Sequence, residues 1–261
     1  MTSVIKMNGV SWRRQRKEIL TDINWEVAKG QHWAVIGLNG SGKTTLLNMV
    51  NGYIWPTTGE VTVLGQRFGK TDIRELRKSI GWVSSSLQER INGRQRAGDI
   101  VVSGKYASIG LFEEPTEEDF QQALQLMDRL SCSHLIHRTY ETCSSGEKQK
   151  ILIARGLMAE PELLILDEPS SGLDFIAREE LMLTINELAA QDDSLTIILV
   201  THHIEEVLPA FTHTLLLQEG RIFDQGNREA IFTSSRLSQF FDKAVTVDWR
   251  SNRAWMTLAD V

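Results

Sequence analysis

The stretch "GLNGSGKTT", Gly37 to Thr45, constrains this chain more than any other part of it. It follows the apolar run Trp33–Ile36 and leads into the apolar run Leu46–Val50. A G-x-x-x-x-G-K-[ST] segment between a buried strand and a helix is a phosphate-binding loop. Glycines at Gly37, Gly40 and Gly42 let backbone N–H groups turn inward around a β-phosphate without a side-chain clash. Leu38, Asn39, Ser41 and Thr45 complete the nucleotide-binding set. Lys43 is expected to reach the β- and γ-phosphates, and the Thr44 hydroxyl to ligate Mg2+. Spacing and context together disfavour a plain glycine-rich turn at a helix start.

The surrounding pattern is that of an α/β protein. Leu163–Leu166 and Thr196–Val200 are, like Trp33–Ile36, short apolar runs without polar alternation, which reads as buried parallel strands. Helical patterns follow them, as in Ile176, Leu181, Ile185 and Leu188 after Asp174. This alternation predicts a mostly parallel sheet. Val4–Val10, Ile19–Val27 and Val61–Leu64 alternate instead and suit a small N-terminal antiparallel sheet. Thr214–Gln218 and Arg221–Asp224, joined by Glu219-Gly220, read as a hairpin. Between Gly98 and Pro161 the pattern is helical, with Phe120, Leu124, Met127 and Leu130 marking one amphipathic face.

A second acidic motif completes the chemistry of the loop. In "LLILDEP", Asp167 ends a buried strand, where a carboxylate can hold the Mg2+ shell across from Thr44. Glu168, one residue on, points elsewhere and is placed to orient or deprotonate an attacking water. Such general-base help is worth roughly 10²–10⁴ in rate. Together the two motifs define a nucleotide hydrolase core.

Composition narrows the class further. A net charge of −6 argues against a dedicated nucleic-acid binder, and no direct nucleic-acid partner is expected. The local clusters Arg13, Arg14, Arg16, Lys17 and Arg90, Arg94, Arg96 read as solvated charge. Cys132 and Cys143 have neither metal nor disulfide spacing, which suits a reducing cytosol. No apolar run approaches the ~20 residues of a membrane span, and "MTSVIKMNGVSW" lacks the pattern of a signal peptide. The expected location is cytoplasmic.

Three further stretches narrow the choice among nucleotide hydrolases: "SSGEKQ" between the two motifs, "SSGLD" just after the second, and "VTHH" beyond. With them, residues Val4 to about Phe232 resemble the ATP-binding cassette (ABC) ATPases, the motor subunits of ABC transporters. The segment "GYIWPTTGEVTVLG" is similar to that family's stretch after the phosphate-loop helix.

The pattern predicts an ATP-binding core over residues 1–84 and 162–233, interrupted by a helical insert over 85–161 and followed by a short tail from 234 to 261, with Trp249 and Trp255 packed on the core. The resemblance implies a signature loop within the insert, formed by Ser144, Ser145, Gly146 and Glu147 after Cys143. That loop would cover ATP bound to a second cassette, the two packing head to tail. The family's usual loop is Leu-Ser-Gly-Gly-Gln, so Cys143, Ser145 and Glu147 are departures, and Glu147 is expected to point away from phosphate. His202 resembles the switch histidine that contacts the γ-phosphate, with His203 a structural neighbour. Asp174 resembles the acidic residue of a loop crossing the dimer interface, and Trp12 an aromatic that stacks on adenine. In "IGWVSSSLQERING" the family places a glutamine near Ser85; here either Gln88 takes that role or the Ser85 hydroxyl does. The same "VSSSLQER" resembles a minor group linked with molybdate-type transport.

The function so implied is Mg2+-dependent ATP hydrolysis driving transport through a separate transmembrane permease subunit, at the cytoplasmic face of the membrane. A soluble ABC ATPase acting on cytosolic macromolecules is the alternative. A non-hydrolysing nucleotide sensor would have lost Glu168 or His202, and both are present.

Overall fold

A computed structural model describes residues 3–106, 108–111, 114–191 and 194–259. In chain order the strands and helices are β1 (Ser3–Arg14), β2 (Lys17–Ala28), β3 (His32–Ile36), α1 (Lys43–Val50), β4 (Thr58–Val63), β5 (Gln66–Arg67) and α2 (Ile73–Lys78). Next come β6 (Ile80–Val83), α3 (Ser85–Arg90), α4 (Ala97–Ser103), α5 (Glu117–Arg129), α6 (Ser145–Leu157), β7 (Leu163–Asp167) and α7 (Phe175–Gln191). The chain ends with β8 (Thr196–Thr201), β9 (Phe211–Gln218), β10 (Arg221–Asn227), α8 (Arg228–Ile231), α9 (Ser234–Phe241), β11 (Val245–Arg250) and β12 (Arg253–Leu258). Met1–Arg77 with Thr196–Val261 forms one compact unit and Lys78–Leu195 another.

In the first unit β3 lies between β8 and β9 and pairs parallel with both, as its apolar run predicts. Every residue of β3 and of β8 is buried. Such strands have no face left for polar alternation, which is why the sequence shows none. β10 returns antiparallel along β9 across the Glu219-Gly220 turn, both of whose residues have positive φ. The N-terminal strands form a separate antiparallel sheet in the order β2-β1-β4-β5. Trp25 of β2 packs edge-on against Trp33 of β3, with ring centroids 6.0 Å apart, so the two sheets share a core.

The second unit is mainly helical, around the parallel pair β6–β7. Its helix α5 is held at its start by a capping box. The Thr116 hydroxyl accepts from the Asp119 amide, and the Asp119 carboxylate accepts from the Thr116 amide. The buried side of α5 is Ala123, Leu126 and Met127, continued by Leu130 beyond its end. Leu124, expected on that side, is exposed, and Phe120 is only half-buried. The sequence face was thus rotated by about one residue, because Leu124 sits one position C-terminal to Ala123 and the small alanine carries no hydrophobic signal. Ile176 in α7 is likewise exposed, whereas Leu181, Ile185 and Leu188 are buried as expected.

Residues 234–259 carry more structure than a tail. α9 and the hairpin β11–β12 belong to the first unit. The Ser234 and Ser238 hydroxyls accept from the amides of Val247 and Val245, fastening hairpin to helix.

Candidate nucleotide-binding site

The parallel register sets the site. Ile36 at the end of β3 lies beside Thr201 of β8 and Leu216 of β9. The next residue on each strand, Gly37, His202 and Leu217, therefore sits at the same C-terminal edge. Open α/β sheets bind ligands at that edge. A Cβ on Gly37 would come within 2.4 Å of Ser41 Oγ and 2.5 Å of the Leu217 carbonyl oxygen, so the loop closes only with glycine here. Gly42, at φ +108°, is the N-cap of α1, and a Cβ there would press on Leu20 at 3.0 Å. Gly40, at φ +80°, would meet nothing within 4 Å, which marks the open side of the loop.

No side chain caps α1. The amide N–H groups of its first turn are thus directed out of the helix start, where the partial positive charge favours an anion. Lys43 is buried and its ammonium group folds back to donate to the carbonyls of Gly37 (2.7 Å) and Leu38 (3.4 Å). Ser41 Oγ is buried without a hydrogen-bond partner, an orphan that a phosphate oxygen would satisfy. Leu38 and Asn39 are exposed at the tip, Thr44 is exposed on the first helical turn, and Thr45 is half-buried. The residues present fit a nucleotide phosphate.

Two elements brace the loop from behind. The Gly220 amide donates to the Ser41 carbonyl (2.8 Å), and the Gly220 carbonyl accepts from the Thr21 amide (2.8 Å). A Cβ on Gly220 would lie 2.1 Å from the Ile19 carbonyl oxygen. Gly220 was legible only as a hairpin turn; nothing in its local pattern tells that it supports the phosphate loop. Trp12, half-buried, stands opposite Leu20 across β1 and β2, one strand from Gly42.

His202 follows β8 and is exposed, its ring centroid 4.1 Å from that of His203. His203 Nδ1 lies 3.2 Å from a Glu205 carboxylate oxygen, and its amide donates to the Thr201 hydroxyl (3.1 Å). That hydroxyl in turn donates to the fully buried Glu206 carboxylate. This Thr201–Glu206 pair beneath the histidines was not foreseen. An acid in the polar run "HHIEEV" reads as solvent-facing.

In the second unit, β7 ends at Asp167 and turns sharply. Glu168 adopts φ +50°, unusual for a non-glycine residue, and its carbonyl accepts from the Ser171 amide (3.1 Å). Backbone held in this region costs on the order of 1 kcal/mol and clusters at functional turns. Asp174 is exposed and its carboxylate accepts from the Ala177 amide (2.9 Å), capping α7.

The signature stretch opens α6 with a second capping box. The Ser144 hydroxyl accepts from the Glu147 amide (3.2 Å), and the Glu147 carboxylate accepts from the Ser144 amide (2.7 Å). Glu147 also faces Arg138 at 3.3 Å and His134 at 3.9 Å. Burial pushes the Glu147 carboxyl upward, but the hydrogen bonds from Ser144 and the charges of Arg138 and His134 outweigh it, so it lies below the usual carboxylate range. The acid that departs from the family pattern is therefore neutralised within the helix cap. Ser144 and Ser145 are exposed, and Gly146 allows Ala177 of α7 to approach, since an added Cβ would stand 3.3 Å from that methyl. Cys143 is buried beneath.

Gln88 lies on α3, and its side-chain Oε1 accepts from the Gln149 side-chain amide on α6 (2.9 Å). Ser85 is exposed at the start of α3. Both line a cleft of about 370 Å³ with Glu89, Tyr140 and Lys148. Gln88 is thus tied to the signature helix, a connection that Gln149 supplies and the sequence did not single out.

Known proteins resemble this chain over most of its length. The family model for ABC transporters matches residues 20–171. The chain is 48% identical over 258 residues to the uncharacterized ABC transporter ATP-binding protein YlmA of Bacillus subtilis strain 168, covering 98% of each. It is 31% identical to the molybdate import ATP-binding protein MolC of Haemophilus influenzae, over 92% of this chain and 89% of that one. Among solved structures, cbiO1 of Clostridium perfringens, part of the ABC transporter complex cbiONQ, superposes with a TM-score of 0.79 at 27% identity, over 91% of this chain and 93% of that one. The chain belongs to the ABC transporter family as an ATP-binding subunit, and it is an ATPase with the P-loop NTPase fold. No helix among the described residues is long and apolar enough to cross a membrane.

Proposed function

We propose that this ATPase powers transport through a separate membrane-embedded permease, working as a head-to-tail pair of cassettes at the cytoplasmic face. One observation carries the reading. The signature helix presents exposed Ser144 and Ser145 at a capped N-terminus, while a phosphate loop with its own complete cradle exists elsewhere in the chain. A second exposed, serine-bearing helix start has a use if it closes over nucleotide bound to another copy.

In this reading the amides of Gly37 to Thr45 bind the ATP phosphates, and Lys43 swings from the Gly37 carbonyl to the β- and γ-phosphates. Trp12 stacks on the adenine. Thr44 and Asp167, a hydroxyl and a carboxylate, are hard oxygen donors that suit Mg2+. Bound Mg2+ would neutralise charge developing on the phosphates. Glu168 accepts a proton from the attacking water, and His202 orients that water against the γ-phosphate. Asp174, capping α7, fixes the loop at the partner's face. Gln88, tied to Gln149, links the nucleotide state to the signature helix within the insert 85–161. The adjoining cleft is where a permease segment would be sensed, with Ser85 at its rim in place of the usual glutamine.

The relatives' names support a transporter partner: relatives that match this chain over nearly its whole length are called ABC transporter ATP-binding proteins. The test is capture of partners from native cells on tagged Glu168→Gln protein with ATP. A polytopic membrane protein in the eluate, lost with Ser144→Arg, is the expected result. Recovery of soluble complexes alone would replace this reading with a cytosolic ABC ATPase.

A further inference from the structure

We infer that the C-terminal hairpin β11–β12 is a clamp that positions His202, acting through Arg253 and Arg228 on the turn that follows the histidines. The inference rests on the reading of His202 as the residue that orients water.

After His203 the chain makes a short 3-10 turn, Ile204–Glu206, which ends at Val207. Three ties fix this turn. The Thr201 hydroxyl holds the Glu206 carboxylate from the strand side. Arg253 Nε of β12 donates to the Glu205 carbonyl. Arg228 of α8, only 5% exposed, donates to the Val207 carbonyl (3.2 Å). Both arginines are covered by tryptophans of the same hairpin. Arg253 stands 4.8 Å from the centre of the Trp255 ring, and Arg228 stands 5.4 Å from that of Trp249. A guanidinium over an aromatic face is attracted by the ring's quadrupole and held in plane.

From the pinned turn the contacts lead back to the site. The Glu205 carboxylate meets His203 Nδ1 at 3.2 Å, and the His203 ring packs on His202 at 4.1 Å. Placing the Glu205 backbone therefore places its side chain, then His203, then His202. A hairpin that served only to cover apolar core would be buried along one face. Here β11 buries Val245 and β12 buries Ala254, while most of the other side chains are partly or fully exposed. Its two tryptophans are spent on the two arginines, and Trp249 Nε1 is itself fixed on the Phe232 carbonyl (3.3 Å). Arg253 and Arg228 are thus positioning residues for hydrolysis and touch no substrate.

The test is a double-mutant cycle in ATP turnover, with the purified full chain. Arg253→Ala should lower kcat about tenfold and leave KM for ATP within about twofold, the pattern of a catalytic group displaced but not removed. Arg253→Lys, which can still donate to the Glu205 carbonyl, should recover most of the loss. In a His202→Ala background, Arg253→Ala should cost nothing further, because what it positions is gone. Full kcat in Arg253→Ala, or the same fold loss with and without His202, overturns the clamp while leaving His202's role standing. Full kcat in His202→Ala itself overturns that role and the clamp with it. If Arg253→Ala fails to fold, Trp255→Leu runs the same cycle with an expected loss of about threefold, and an additive loss there is equally fatal.

Discussion

Glu168 follows β7 directly and holds a left-handed backbone, φ +50°. Its place after a buried strand and next to Asp167 is what points to a base. A residue kept at φ +50° without being glycine is held there against a local cost. Glu168→Gln keeps the shape and removes the basicity, so ATP should bind with unchanged affinity while turnover falls about 10²–10⁴-fold. Unchanged turnover would remove Glu168 from the mechanism. Gly220 is the opposite case. Its glycine was visible, its function was not, because the contact that matters is with Ser41, far away in sequence. Gly220→Ala should lower the melting temperature and weaken ATP binding together, since the added Cβ would collide with the Ile19 carbonyl at a position of φ +75°. A substitution incompatible with its backbone costs more than about 1 kcal/mol. Native ATP affinity in a folded Gly220→Ala protein would show that the brace does not set the loop.

At the level of elements, the strands were the most legible because burial on both faces leaves a continuous apolar run, as in β3 and β8. Helix faces were harder: Ala123 carries the core side of α5 without looking hydrophobic enough to mark it. The C-terminal hairpin lies where the sequence reads as a short tail, although Val245, Val247 and Trp249 alternate with polar residues as a strand does. Helix α5 offers a titration that tests its cap. Asp119 is 1% exposed, and the hydrogen bond from Lys105, then that from the Thr116 amide, hold its carboxyl well below the usual range. A carboxyl whose pKa is depressed by folding contributes stability above its unfolded value, about 4, and loses it as pH falls further. Asp119→Asn should therefore be less stable than the parent at neutral pH, and the gap should narrow progressively below about pH 4. Denaturant midpoints for both proteins across that range decide it. A gap independent of pH would mean the carboxylate's charge adds nothing to the cap.

At the level of the whole molecule, the open matter is whether one chain's signature loop serves another chain's ATP. Mixing two damaged chains answers it without any structure of the pair. Lys43→Ala removes the lysine of the phosphate loop, and Ser144→Arg blocks the signature loop, so each alone should be nearly inactive. In a head-to-tail pair of one of each, the intact phosphate loop of the Ser144→Arg chain faces the intact signature loop of the Lys43→Ala chain. Both lesions then fall in the other site. Random pairing in an equal mixture gives such pairs half the time, each with one of two sites whole, so turnover should recover to roughly a quarter of the undamaged level. If the signature loop acted on the nucleotide of its own chain, every site in the mixture would keep one lesion, and the mixture would be no more active than its parents. Recovery would thus report a site made from two copies, built on the one hand from the glycines that close the loop after β3, and on the other from a serine whose amide is already satisfied by Glu147 but whose hydroxyl proton is free to turn toward a partner's phosphate.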